Sequence, residues 1–582
     1  MRKFTVFLLS LFSAASWLLI AAGCSGPEIP ADLVLYNGRV VTVDSAFTIT
    51  SAVAVTGEWI TAVCSDKEVL ALAGPQTERI DLAGRMVVPG LIEAHAHPDG
   101  ASLSELEGPL PNPRNLSALL DWLYSQAHSR PAGAWIVHPK LFATRLAELR
   151  PPTLAELDSV APEHPVFLDG SFGGSINSAA MRASGITDKT DNPGLLRDPV
   201  TGKLNGKIRL SAFELLKTPP APALSVQERA ELLLKMLSLY NQVGFTSYTA
   251  GEVKPEAVEL FRYIREHGPL TIRAYLNILV PFDFKQMTLE QIRSEVAKLP
   301  GPTGTGDQWL RFGALKTFAD GGILTGTAYL REPWGPKAAE IFGVTDPGYR
   351  GIPRYTAEQF APLVQAGAEA GWKMTAHATG GGAVDGILEA YEQANKALPV
   401  APLRFSIIHG NFFDRRAIER CAALGVIADA QPAWFYKDAD AMLDILGPER
   451  IRTFHPYRSL IDAGVVISAG SDHMVIADNL ESINPYNPWL GLWVMLTHRT
   501  ERGTVVEPEE AITREQALRC YTINNAYASF EEKLKGSIEP GKLADLVVID
   551  RDYLACPLDQ VREIKVLMTV VGGRQVWRSA GI

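Results

Sequence analysis

Hydrophobic and polar positions alternate in two different ways along the chain. From Ala31 to Leu82 the stretches "DLVLYNGRVVTVD", "SAVAVTGEWITAVC" and "ERIDLAG" alternate residue by residue and are separated by Asn-Gly and Thr-Gly turns, which predicts a small antiparallel sheet. Near the other end, "KGSIEPGKLADLVVIDRDYL" and "KVLMTVVGGRQVW" carry the same signature, so the two ends predict one discontinuous β domain. Between them, short apolar runs alternate with helical stretches, the pattern of repeated βα units on a parallel sheet. The candidate strands are "VVPGLIEAH", "VGFTSYT", "LTIRAYLNIL", "WLRFGALKTF", "WKMTAHA", "RFSIIHG", "GVIADAQ" and "VVISAGSD", and eight is the number that a (β/α)8 barrel needs. Ser225 with Glu228, Thr356 with Gln359 and Thr513 with Gln516 fit capping boxes that start intervening helices. Residues 101–224, between the first two strands, far exceed a normal βα connection and predict an inserted subdomain or lid.

Composition narrows the partners. A chain of 582 residues is too long for one ordinary core, and 47% hydrophobic with 21% charged residues reads as globular. A formal charge of -10 argues against nucleic acid or an anionic membrane surface as the main partner, which leaves a small molecule as the expected one and a homodimer open. The chain begins with Arg2 and Lys3, continues through an apolar run from Phe4 to Ala22 and reaches "IAAGC" at Cys24, a basic, apolar and small-residue succession typical of an export signal. It resembles a bacterial lipoprotein signal over 1–24, with Cys24 as the lipidated first residue of the mature chain; an uncleaved anchor is the alternative. Ser25 resembles the outer-membrane sorting pattern. The body is therefore expected on the periplasmic face of a bacterial membrane, touching it only through the N-terminal lipid. Cys64, Cys421, Cys520 and Cys556 lack C-x-x-C spacing and read as small buried hydrophobes.

Candidate chemistry gathers at one end of the predicted strands. In "VVPGLIEAHAHPDG", His95 and His97 are two residues apart, so in an extended strand both imidazoles reach one point. Lys316 ends strand four, His377 strand five, His409 strand six and Asp472 strand eight, the end at which barrel enzymes place their active sites. Individually, His377 and His409 read as core histidines, Asp472 as a helix cap and Lys316 as a partner for Asp320. Their coincidence at the same end of separate strands points to a metal site.

The ordered set "VVPGLIEAHAH", "LKTFADGG" with "TAYL", "AHATGGGAVDG", "HGNFFD", "GVVISAGSD" and "KGSIEPGKLADLVVID" resembles the amidohydrolase superfamily, in the family 3 branch of N-substituted formamide deformylase-like enzymes. The resemblance implies a distorted (β/α)8 TIM barrel, expected over 86–530 with 101–224 inserted, and a β-sandwich composed of 31–85 and 531–582. It also implies one or two divalent metals, commonly zinc. His95, His97 and Asp472 would hold the more buried ion, His377 and His409 the second, and Lys316 would bridge them as a carbamate formed with carbon dioxide. A metal-activated hydroxide would attack a polarised carbonyl, with Asp472 moving the proton to the leaving amine.

The pattern departs from the family in places. Phe172 and Gly326 stand where members often carry a histidine and an arginine, and Glu93 where an aspartate is usual. Phe172, Gly326, Trp334 and His473 are candidate substrate contacts; Trp434, Phe435 and Tyr436 are candidate aromatic walls, and Asp169 and Glu252 candidate pocket residues. His128, His138, His164, His267, His455 and His498 read as structural or surface residues. The expected function is hydrolysis of a carbon-nitrogen bond in a non-peptide amide, N-acyl or N-formyl compound. Ester or lactone hydrolysis or deamination on the same fold, and an inactive ligand-binding lipoprotein, are the competing functions.

Overall fold

The computed structural model describes residues 29–220 and 223–580. Its centre is a parallel sheet of eight strands, β1 (Leu91–Ala96), β2 (Phe245–Val253), β3 (Arg273–Leu279), β4 (Leu310–Phe318), β5 (Met374–Ala378), β6 (Ser406–His409), β7 (Ile427–Ala430) and β8 (Ile467–Ala469), paired in chain order. Valine, isoleucine, leucine and alanine dominate these strands because both faces are covered. The seam between β8 and β1 is bridged by a side chain. Asn525 Nδ2 donates to Ile92 O at 2.6 Å and Ala469 O at 2.9 Å, while its Oδ1 accepts from Ala469 N at 3.0 Å. The three capping boxes form as expected at Ser225, Thr356 and Thr513.

The predicted first strand is two strands of different sheets. Met86–Pro89 pairs with Leu546–Ile549 outside the barrel, with Val87 opposite Val548, and the chain enters the barrel after Gly90. That outer sheet has six strands drawn from both chain ends, and a four-stranded sheet that includes Ala31–Tyr36 and Ala52–Thr56 lies against it. Leu33, Leu35 and Val53 of one sheet and Val87, Val548 and Met568 of the other share one apolar layer, which makes the pair a sandwich.

The insertion carries its own five-stranded sheet, ordered Leu195–Arg197, Leu204–Arg209, Gly173–Ile176, Val166–Asp169 and Ile136–His138. Cys421 and Cys520 are buried free thiols, as expected, while Cys64 and Cys556 are only half-buried, which corrects their reading as buried residues. No helix among the described residues is long and apolar enough to cross a membrane. Cys24 lies outside the described residues.

Candidate metal centre

Strand geometry delivers the donors. His95 is the fifth residue of β1 and fully buried, and His97 follows just past the strand end. Asp472 follows β8 across the seam, its N–H donating to His95 O at 2.7 Å, so one backbone bond fixes the two donor segments to each other. Ligand atoms of His95, His97 and Asp472 all lie within 4.8 Å of one another; Asp472 Oδ1 is 3.6 Å from His95 Nε2 and 3.2 Å from His97 Nε2.

The remaining donors face the same cavity. His377 and His409 bring their ring centroids to 4.6 Å, and His409 lies 5.7 Å from His95. Hydrogen bonds decide which nitrogen each offers. His377 Nε2 donates to Gly321 O at 2.9 Å, because a carbonyl only accepts, and this leaves Nδ1 with a free lone pair. His409 Nδ1 faces Gln431 Oε1 at 2.8 Å, and Gln431 Nε2 donates to Asp429 Oδ1 at 2.9 Å and Asp429 O at 3.0 Å. The amide is thereby turned so that Oε1 accepts, His409 carries its proton on Nδ1, and Nε2 is free.

Burial sets the charge states. It holds the imidazoles of His95 and His409 well below their ordinary range and His377 down to about 3, so all three are neutral at pH 7, the form that binds metal. Burial also pushes the Lys316 ammonium down to about 8, opposed by Glu252, Asp472 and Asp429. Burial alone would raise the Asp472 carboxyl, but the bond and charge of His97 and the charge of Lys316 pull it below its ordinary value, so it stays ionised.

The residues fit a metal ion. The donors are three neutral imidazoles, His95, His377 and His409, with His97 beside the Asp472 carboxylate, which raises its imidazole above the ordinary range against the opposing effect of burial; buried His95 Nδ1 has no hydrogen-bond partner. Space is reserved as well: a Cβ on Gly251 of β2 would fall 2.4 Å from His95 Cε1, so glycine is what admits this ring. Glu93 accepts from the N–H groups of His95 and Ser471, and burial raises its carboxyl to about 7.

A cavity of about 1200 Å³ opens above these residues. Phe142, Phe172, Phe213, Phe282, Phe318 and Trp434 form most of its aromatic wall, and Asp169 and Glu252 also line it. The Phe172 ring lies 5.1 Å from that of His377, tilted by 44°, and lines the cavity. Five other candidates do not, among them Phe435, whose ring packs on His498, and Tyr436, whose ring meets Trp493. Trp334 is buried elsewhere with Nε1 donating to Ala328 O at 3.0 Å, and Gly326 sits at φ 68° where a side chain would strike Phe342. His473 is fully buried, its nitrogens bonded to Tyr240 Oη at 2.9 Å and Ile476 O at 2.7 Å, so adjacency to Asp472 in sequence put it on the opposite side of the chain. Gln431 and Gly251 escaped the sequence reading, since neither residue type signals a metal site.

Residues 78–577 match the amidohydrolase family. The N-substituted formamide deformylase of Arthrobacter pascens is 30% identical over 559 residues, 93% of this chain and 97% of its own length. Protein LONG AFTER FAR-RED 3 of Arabidopsis thaliana is 25% identical across 98% of this chain and 96% of its own. In fold, a metal-dependent hydrolase from Pyrococcus horikoshii superposes with a TM-score of 0.65 at 21% identity, covering 90% of this chain and 99% of that one.

Proposed function

From the premise that this chain belongs to the amidohydrolase family, we propose an exported, lipid-anchored metal-dependent hydrolase that cleaves a carbon-nitrogen bond in a non-peptide N-acyl or N-formyl amine. One observation carries the reading: His95, His97 and Asp472 converge at the C-terminal mouth of the barrel, their donor atoms within 4.8 Å. In this reading they would hold one zinc ion, His377 and His409 would hold a second through the nitrogens left free of hydrogen bonds, and Lys316 would serve both as a carbamate. An ammonium lowered to about 8 leaves an appreciable share of free amine at neutral pH, the form that reacts with carbon dioxide. When bound, the metal acidifies water and polarises a carbonyl.

Asp472 Oδ1 accepts the proton of the attacking water and delivers it to the leaving nitrogen, a task that needs an ionised carboxylate within reach of both. The aromatic wall receives an apolar substituent of the amine, in keeping with the phenylalanine at position 172. The test joins metal analysis to a substrate screen. About two zinc equivalents and chelator-sensitive release of amine from N-formyl and N-acyl amines are expected. Ester cleavage without amide cleavage, or turnover that survives chelation, overturns the reading. For the anchor, acyl labelling that disappears in Cys24→Ala is expected; membrane association with no acyl chain on Cys24 overturns it. Ser25 favours the outer membrane.

A further inference from the structure

Asp472 is held more tightly than a ligand alone requires. Its φ of 56° lies in the left-handed region, which a non-glycine residue occupies only when its surroundings over-determine it. Its carbonyl accepts from Asn484 Nδ2 at 2.8 Å. Its carboxylate is divided: Oδ1 faces His95 and His97, while Oδ2 accepts from Trp434 Nε1 at 3.0 Å.

Both of these partners meet one side chain from the insertion. The Arg145 guanidinium lies 5.3 Å over the Trp434 ring, and its Nη2 donates to Asn484 Oδ1 at 3.1 Å. The same guanidinium forks onto Asp438, fully buried in helix Pro432–Leu446, at 2.7 and 2.8 Å, and donates from Nη1 to Ile483 O at 2.6 Å. Trp434 lies on that helix too. Helix, loop and insertion therefore meet at Arg145, one residue away from both supports of Asp472.

We propose that Arg145 is a positioning residue: through Trp434 and Asn484 it lets the insertion set the orientation of Asp472, making the insertion part of the proton-handling apparatus. This rests on Asp472 moving the proton in the function proposed above. Trp434 fixes which oxygen turns towards the reacting water, and Arg145 fixes Trp434 and Asn484 together. A wall-forming insertion would need only contacts with the barrel, and it has others, such as Arg209 Nη2 donating to Phe342 O at 2.9 Å.

Trp434→Phe removes the N–H but keeps a ring, and Arg145→Lys keeps the charge but cannot fork. Metal-stripped protein is titrated with cobalt(II), whose visible absorption reports the ligand geometry, and reloaded protein is assayed on an N-formyl amine. Each single variant is expected to lower kcat by about 10–100-fold and to shift the cobalt band, with KM nearly unchanged in Arg145→Lys, whose side chain does not line the cavity. The double variant is expected to be no worse than the poorer single one. Arg209→Lys, which loosens the same subdomain away from Asp472, is expected to change neither readout. Multiplicative losses in the double variant, an unshifted band in Trp434→Phe, or an Arg209→Lys that matches Arg145→Lys would overturn the proposal. Should Arg145→Lys fail to fold, Trp434→Phe decides alone, because it leaves the Arg145–Asp438 pair whole. A wild-type protein that neither binds cobalt nor cleaves amides would instead bring down the proposed function itself.

Discussion

Two buried polar clusters stand at opposite ends of the barrel strands, and they are built on different terms. Arg273 of β3 forks onto Asp545 at 2.8 and 3.0 Å, donates to Gln308 O at 3.0 Å and lies 4.3 Å over Trp309, while Asp545 also accepts from Gly572 N at 2.8 Å. Every group there is paired, and the pair joins barrel to sandwich. At the cavity, the neutral His95, His377 and His409 gather with the His97–Asp472 pair and a lysine, and buried His95 Nδ1 has no partner. A satisfied buried charge reads as structure; a buried donor set that converges on open space with bonds unmet reads as a site for a missing ion.

The contrast can be broken by substitution. Asp472→Asn should lower kcat by about 10⁴-fold while urea unfolding stays near that of the wild type; a small kinetic loss would remove Asp472 from the proton path. Arg273→Met should do the opposite, costing about 3–5 kcal/mol of stability by stranding Asp545, with kcat per folded molecule retained. If Arg273→Met instead silenced a folded enzyme, the division into structural and chemical clusters would fail. Gly251→Ala should sharpen it further: with its Cβ 2.4 Å from His95 Cε1, the ring must move, and metal affinity should drop about 10–100-fold in a zinc titration.

The smallest effect is set by pH. Burial lowers His455 to about 3 and His138 to about 4, and neither lines the cavity. Below pH 6.5 the unfolded chain binds protons at these histidines that the folded chain does not, so stability should fall as pH drops from 6.5 to about 4 for both, and on to about 3 for His455. The slope is about 1.4 kcal/mol per pH unit for each histidine. Denaturant melts of His455→Gln should show a shallower slope in that window; an unchanged slope would mean that His455 does not contribute.

Much of this was legible beforehand. Lys316, His377, His409 and Asp472 were found because an ionisable residue at the end of an apolar strand stands out against its neighbours, and strand direction then puts all of them at one mouth. Phe172 was found through a departure from a family pattern. Reading failed where sequence neighbours were taken for spatial ones: His473 follows Asp472 yet faces Tyr240, and Trp334 lies in a loop that turns back into its own core. It also missed Gln431, Gly251 and Arg145, whose roles depend on what another segment brings against them.

The chain by itself determined the alternation of strands and helices, the sandwich drawn from its two ends and the residue types offered at the strand tips. These follow from periodicity and from the cost of burying charge, both local properties. The tertiary structure decided which nitrogen His377 and His409 leave free, which oxygen of Asp472 faces the histidines and which candidates are excluded. Those outcomes depend on hydrogen bonds between separate segments, 56 positions apart for His377 and Gly321, 22 for His409 and Gln431 and 38 for Trp434 and Asp472, and no pattern along one strand encodes them.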